Sequence, residues 1–597
     1  MDLRHRLAPP RGLRAARDLL LRHRLRLWAW LRAVLWALRA APARRRLRAA
    51  VPGLRRVARG PVRLYGRTVA AYAAADAAAA DLEQVCAVLD AAGVPYFLVP
   101  GEPGAGGARQ VVGVAEEHRA TVLAHAARHF AGTAGFVGAV GADGAVTTAV
   151  LWADGRLPRA VRGAAVLRTG VLRLGPCGQV LGGLDTGCDI EFWRHGRDVG
   201  KDPAYLTVPG DRLPDVFGSA LVAPRPNPVS EVLPVAAQRP AEAPVAVAGR
   251  RRRPVPTFAP FAEPGIDEVC FPVDAVYTWV DGDDPALAAK RRAHQALANT
   301  AIAPRETGAS RYTSHDELRY ALRSLEMYAG FVRHVYLVTD AQLPAWLDPA
   351  AAGLTVVDHR DILPADALPV FNSHAIESRL HHIPGLSEHY LYFNDDVFIN
   401  RPVRAEHFFH GNGIARIPLS PLKLGVGDPH PLEPAPNSAG KNTREVIRRF
   451  HGRQIRHKSL HTPHPQLLRV MREMEDLGIE ELRRTAYSRF RSTADVAPAS
   501  TLHHHWAIAT GRGVPAEYRF RYVQLGSPDM RRRLARLAAG EDVDFFCLND
   551  VDTAPAERAA AQAAIRAFLE RKYPFPSRWE RAARVVPQSS RLTLPVN

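Results

Sequence analysis

Four groups of carboxylates fall where short apolar runs end: Asp281, Asp283 and Asp284 after Val273–Val280, Asp340 after Val335–Thr339, Asp358 and Asp361 after Thr355–Val357, and Asp395 and Asp396 after Tyr390–Phe393. A scaffold alone needs no acids at these places. Two adjacent carboxylates there suit a hard divalent cation, because Mg2+ is commonly held by one or two carboxylates together with substrate phosphate. An Asp-Asp pair is also ordinary turn chemistry. The pair at 395–396 sits inside FNDDVF, flanked on both sides by strand-forming residues that a plain turn does not require.

Such acids act together only if strand ends are brought side by side, and the surrounding pattern supplies the elements. Val273–Val280 is β-rich, and Pro285 after its acidic turn suits the first position of a helix. Ser314 and Glu317 have capping-box spacing ahead of a helix carrying Leu318, Leu322, Leu325 and Tyr328 on one face. Strand and helix alternate from there, and polar residues collect at the strand ends, where an open α/β sheet binds its ligands.

Upstream, residues 63–221 read as a mixed α/β domain without a P-loop or dinucleotide-type glycine loop, with a structural or acceptor-binding role. Leu82, Val85, Cys86 and Leu89 predict a helix ended by Gly93-Val94-Pro95. Tyr96–Val99, Gly135–Val140, Ala145–Trp152, Ala164–Leu174 and Asp189–Trp193 predict strands, and Glu116–Phe130 a helix. Asp189 and Glu191 alternate on the last strand and are expected to be solvated. Residues 222–264 hold ten prolines between Pro224 and Pro264, plus the run Arg250–Arg253, which predicts an extended linker. Residues 265–597 then form the domain with the acid clusters.

The net charge of +19 is concentrated in a tail, residues 1–62: positions 1–60 hold 17 Arg against Asp2 and Asp18, and the rest of the chain is close to neutral. A nucleic-acid surface is therefore not expected on the α/β body, and no stacking-aromatic module accompanies the tail. Trp28, Trp30 and Trp36 alternate with Leu and Arg, so the tail could lie on an anionic membrane face; a basic tail of no fixed structure is the alternative. Arg interrupts every apolar run near the start, so neither a signal peptide nor a membrane span is expected. Five scattered cysteines without a CxxC exclude a zinc ribbon or disulfide scaffold and fit a reducing cytoplasm.

The segments VDAVYTWVDGDDP (273–285), RYTSHDELRYALRSLEMYAGFVRHVYLVTDAQLPAWL (311–347) and FNSHAIESRLHHIPGLSEHYLYFNDDVFI (371–399) resemble conserved regions of the Stealth family. LHTPH (460–464) and RFRSTADV (489–496) resemble its last conserved region, so the likeness spans about 268–510. The resemblance implies a hexose-1-phosphate transferase of capsule or exopolysaccharide synthesis. Such an enzyme moves a sugar-1-phosphate, such as GlcNAc-1-phosphate, from a nucleotide sugar to a glycan hydroxyl and releases the nucleoside monophosphate. A metal-dependent glycosyltransferase releasing the diphosphate is the nearest rival.

The implied fold is α/β, a Rossmann-like or GT-A-like catalytic domain with a separate N-terminal mixed α/β domain. The implied cofactor is Mg2+ or Mn2+ on Asp395 and Asp396. Donor contacts fall on Asp281, Gly282, Asp283, Glu317, Arg319, Arg323, Asn372 and Ser373. His374, His461, His464, Arg491 and Asp396 are the implied catalytic set, with a His as base and Arg491 as a clamp on the transferring phosphate. His461 and His464 share one face if their segment is helical. From the cysteines and the basic tail, the expected location is the cytoplasm, with association to the inner face of the membrane as the alternative to a free protein.

Overall fold

A computed structural model of the chain describes residues 36, 38–59, 62–101, 109–199, 217–246, 252–296, 314–550 and 553–581. These form two compact units divided between Gly265 and Ile266. Among the described residues no helix is long and apolar enough to cross a membrane, and all five cysteines are free.

In the first unit the helix Ala74–Ala92 buries Leu82, Val85, Cys86 and Leu89, and Gly93 ends it in the left-handed region (φ 61°). That helix covers a mixed sheet whose main path runs Leu54–Arg59, Val62–Thr68, Val166–Leu174, Cys188–His195, Leu221–Val222 and Val232–Leu233. The first strand belongs to the stretch expected to be tail, and the second begins at its last residue. Residues 38–50 are helical and bury Ala40 and Leu47. Trp36 Nε1 donates to Asp154 Oδ2 at 3.0 Å, and Arg44 grips the same carboxylate through Nε and Nη2, both at 2.7 Å. Trp36 is thus spent on folding. Trp28 and Trp30 lie outside the described residues.

The proline-rich stretch is also more than a linker. Pro240–Ala246 and Arg252–Phe258 form an antiparallel ribbon, and Val245 and Val255 join the core beneath the helix. Pro240, Pro244, Pro254 and Pro256 all fall on alternate pairs of the ladder. Proline survives in a two-stranded ribbon when its missing N–H faces away from the partner. Asp189 and Glu191 are not solvated either. Asp189 is 0 % exposed and takes Arg168 at 2.7 and 3.1 Å and Arg225 at 3.0 Å. Glu191 takes Arg225 at 2.6 Å. Their strand is central in the sheet and buried on both faces from Cys188 to Trp193, so its side chains meet packed layers rather than water.

The second unit is built on a five-stranded sheet in the order Leu354–Asp358, Val332–Thr339, Val273–Thr278, His389–Asn394, His464–Leu467. The first four strands are parallel, and the last pairs antiparallel at the edge. The helix Glu317–Tyr328 buries Leu318, Leu322, Leu325 and Tyr328 against the fold. Its cap is not the expected box: Asp316 occupies the N-cap in the left-handed region, and the Glu317 carboxylate turns back to accept the His315 N–H. A three-stranded sheet of Val397–Ile399, Phe545–Asn549 and Phe520–Gln524 lies further along the chain.

Candidate active site

Counting along the sheet, the chain first moves outward from Val273–Thr278 to Leu354–Asp358 and then returns to place His389–Asn394 on the opposite side. Reversals of this kind leave a crevice at the carboxyl ends of the strands. A cavity of about 650 Å3 opens in this unit, lined by strand-end residues such as Thr278, Asn394, Asp395 and Asp396.

Asp395 and Asp396 occupy the two-residue turn between His389–Asn394 and Val397–Ile399. Asp396 Oδ1 accepts from His461 Nε2 at 3.1 Å, while Oδ2 accepts from Asn549 Nδ2 at 3.0 Å and from the Cys547 thiol at 3.2 Å. Burial alone would raise the Asp396 pKa; the charge and hydrogen bond of His461 overcome it, and Asp396 lies below the ordinary range. His461 responds in reverse: burial opposes its charge, but Asp396 holds its pKa above the usual value. The two form a hydrogen-bonded dyad. Asp395 behaves differently, pushed far up by burial and then by the neighbouring Glu317 and Asp396. Glu317 rises to about 7, chiefly through burial.

A second group faces the same cavity from the helix Ser373–Glu377. Asn372 caps that helix by accepting the His374 N–H at 3.1 Å, and its amide donates to Asp495 at 2.9 Å. Ser373, His374 and Glu377 line the cavity, as does Arg491, whose Nη2 donates to Ser373 Oγ at 2.9 Å. Glu377 is pushed to about 7 by burial, although Arg491 pulls the other way. Tyr392 donates to it at 3.4 Å.

Glu317, Asp395 and Asp396 line the same cavity, and carboxylates of this kind are the ligands a hard divalent cation would take. Burial and mutual repulsion oppose the ionisation of Glu317 and Asp395, and a dication relieves both. Asp396, His461 and Cys547 also offer ligand atoms within 4.8 Å of one another. Burial keeps Cys547 a protonated thiol that serves Asp396 as a donor, which argues against a thiolate-bound metal there. The donor chemistry therefore fits Mg2+ or Mn2+ rather than a soft ion.

Four family models, described as Stealth protein conserved regions 1 to 4, match residues 271–293, 311–417, 460–508 and 536–588. An exopolysaccharide phosphotransferase of Streptomyces coelicolor is 40% identical over 514 residues, covering 85% of this chain and 83% of its own length. The chain belongs to the Stealth family. A second exopolysaccharide phosphotransferase of that organism is 39% identical over 85% of each chain. Exopolysaccharide phosphotransferase CpsY of Mycobacterium tuberculosis is 37% identical over 331 residues, 55% of this chain and 62% of its own. The Streptomyces likeness is longer than the second unit, so it extends into the first.

All four Stealth regions contribute to the cavity. The segment expected to be the last conserved region is the third, and the likeness runs on to 588 rather than ending near 510. The fourth region supplies Cys547 and Asn549 to Asp396. Sequence reasoning missed both, although FCLND at 546–550 repeats the signature of YFNDD, an apolar strand running into Asn and Asp. Glu377 and Tyr392 were missed as well.

Several expected residues stand elsewhere. Asp281, Gly282 and Asp283 form the turn after Val273–Thr278 but are not part of the cavity lining. Gln342 braces that turn, accepting the Asp281 N–H at 2.9 Å and donating to Asp284 at 2.9 Å. Asn372 acts as a cap from behind the wall. Arg319 and Arg323 reach away, to Glu580, at 2.7 Å for Arg319 and 2.6 and 2.8 Å for Arg323. They lie on a face of their helix that fastens the segment around 573–580.

His461 and His464 do not share a helix face. His464 begins the edge strand, and the ring centroids are 6.5 Å apart. Burial drives His464 to about 3, so it stays neutral. The triplet His503, His504 and His505 is buried at the start of the helix His503–Ala509, where His503 Nε2 accepts the Leu467 N–H at 2.8 Å and braces the edge strand.

Proposed function

We propose that the cavity transfers a hexose-1-phosphate, GlcNAc-1-phosphate or a close analogue, from a nucleotide sugar to a glycan hydroxyl in exopolysaccharide synthesis, releasing the nucleoside monophosphate. The family makes the chain a transferase; the Asp396–His461 dyad, sharing one crevice with Arg491 and Glu377, supports this particular chemistry. The parallel order of the sheet is the one a Rossmann-like or GT-A-like nucleotide-binding domain uses, and we read it as such.

Asp396 orients His461 and makes it more basic than a free imidazole, so His461 removes the acceptor's proton as the hydroxyl attacks phosphorus. Arg491, fixed by Ser373, stabilises charge on the transferring phosphate. A cation on Glu317, Asp395 and Asp396 supplies charge neutralisation at the donor phosphates when bound. His374 stands next to Ser373 and is the second candidate for handling a proton.

We propose a cytoplasmic location, with the Arg-rich N-terminal stretch touching anionic lipid. Product analysis with a nucleotide-sugar panel tests the reaction. Monophosphate release is expected; diphosphate release makes the protein a glycosyltransferase instead. Full turnover in excess chelator removes the cation from the scheme.

A further inference from the structure

Away from Asp396 the cavity extends past the ends of the other two parallel strands, where its lining is not used by the transfer step. His359 follows the strand Leu354–Asp358 directly and lines the cavity. It is 4 % exposed, and neither ring nitrogen has a hydrogen-bond partner among the described residues. Buried polar atoms are rarely left this way unless a ligand or water completes them. Burial holds its pKa at about 4, so the ring is neutral, with one nitrogen donating and the other accepting.

Phosphate is therefore a poor match for His359, and an uncharged polar ring edge is a good one. Trp279, Val280, Leu287 and Phe371 provide apolar and aromatic surface in the same lining, suited to a flat ring. Asp340, held by Lys290 Nζ at 2.6 Å, lies at the end of the intervening strand. Three strand spacings, about 14 Å, separate the end of Leu354–Asp358 from the end of His389–Asn394, the strand that leads into Asp395 and Asp396.

We propose that this end of the cavity is the nucleobase pocket of the donor site, and that His359 reads the hydrogen-bonding edge of the base. The proposal rests on the nucleotide-sugar reading above and adds the residue that decides which nucleotide is accepted. Sites built to hydrogen-bond a ligand group reject analogues lacking it far more strongly than apolar pockets discriminate by size.

The test is isothermal titration of the full-length protein with UMP, CMP, AMP, GMP, dTMP and ribose 5-phosphate, with thermal unfolding followed in parallel. The wild type should bind one monophosphate at least about tenfold more tightly than the others, a preference well within hydrogen-bond discrimination. His359→Ala should narrow that preference to about threefold or less and leave ribose 5-phosphate, which lacks the base, unaffected. His359→Gln, which keeps a donor and an acceptor, should restore part of it. Undiminished selectivity in folded His359→Ala, an equal loss for ribose 5-phosphate, or a wild type without preference overturns the role of His359. A folded wild type that binds none of the monophosphates overturns the nucleotide-sugar reading itself.

Discussion

In the first unit, Asp189 and Glu191 stand two residues apart on one buried strand and are met by Arg168 and Arg225. In the second, Glu317, Asp395 and Asp396 line one cavity and Glu317 and Asp396 act electrostatically on Asp395, with His461 beside Asp396. Burial works against ionisation in both places. Arginine keeps Asp189 below the ordinary carboxylate range, whereas Asp395 is driven far above it. Matched charges hold a fold together. Crowded like charges store an electrostatic demand that cations and phosphate-bearing substrates can meet.

This contrast predicts different failures. Asp396→Asn keeps shape but removes the charge that makes His461 basic, so kcat should fall about 10²–10⁴-fold with the unfolding midpoint nearly unchanged. Steady-state kinetics and denaturant melts read the two effects separately; a collapse of the fold would make the two clusters alike. Asp189→Ala should do the reverse. It strands Arg168, which is 2 % exposed, and should cost about 3–5 kcal/mol in urea unfolding while the folded fraction keeps its kcat.

Glu377 sharpens the comparison through pH. Its folded pKa of about 7 lies above the ordinary 4.5, so between those values the folded state binds the extra proton. Stability from this group is complete below about pH 4.5, falls as pH rises through 7, and is level beyond. Glu377→Gln should remove this fall, at most about 3 kcal/mol, seen by comparing urea melts at pH 5 and pH 8. The smallest effect belongs to Arg319, which is one-third exposed in its pair with Glu580. Arg319→Ala should cost about 1 kcal/mol or less and leave the donor KM unchanged, while Arg491→Ala should lower kcat.

The strands of the second unit were legible because apolar runs ending in acids mark both an element and its ligand-binding end. Asp395 and Asp396 were legible for that reason. Arg323 and Arg491 were not separable, since one side chain serves an ion pair and a phosphate equally well and only the position of Glu580 distinguishes them. Cys547 and Asn549 stand about 150 residues from Asp396 and meet it only through strand pairing. The ribbon at 240–258 was hidden by composition: proline content reads as extended chain, while its alternate spacing is what permits pairing. Asp189 and Glu191 were misplaced because alternation alone does not show how many layers cover a strand.

The donors from residues 547 and 549 to Asp396 carry a consequence for biosynthesis. A ribosome that has completed every other acid and histidine of the centre has still not made a working one, because Asp396 lacks two of its three supports until Asn549 emerges and its strand pairs with Val397–Ile399. Nascent chains and fragments cut before that strand should therefore be catalytically silent, even when the five-stranded sheet has already formed.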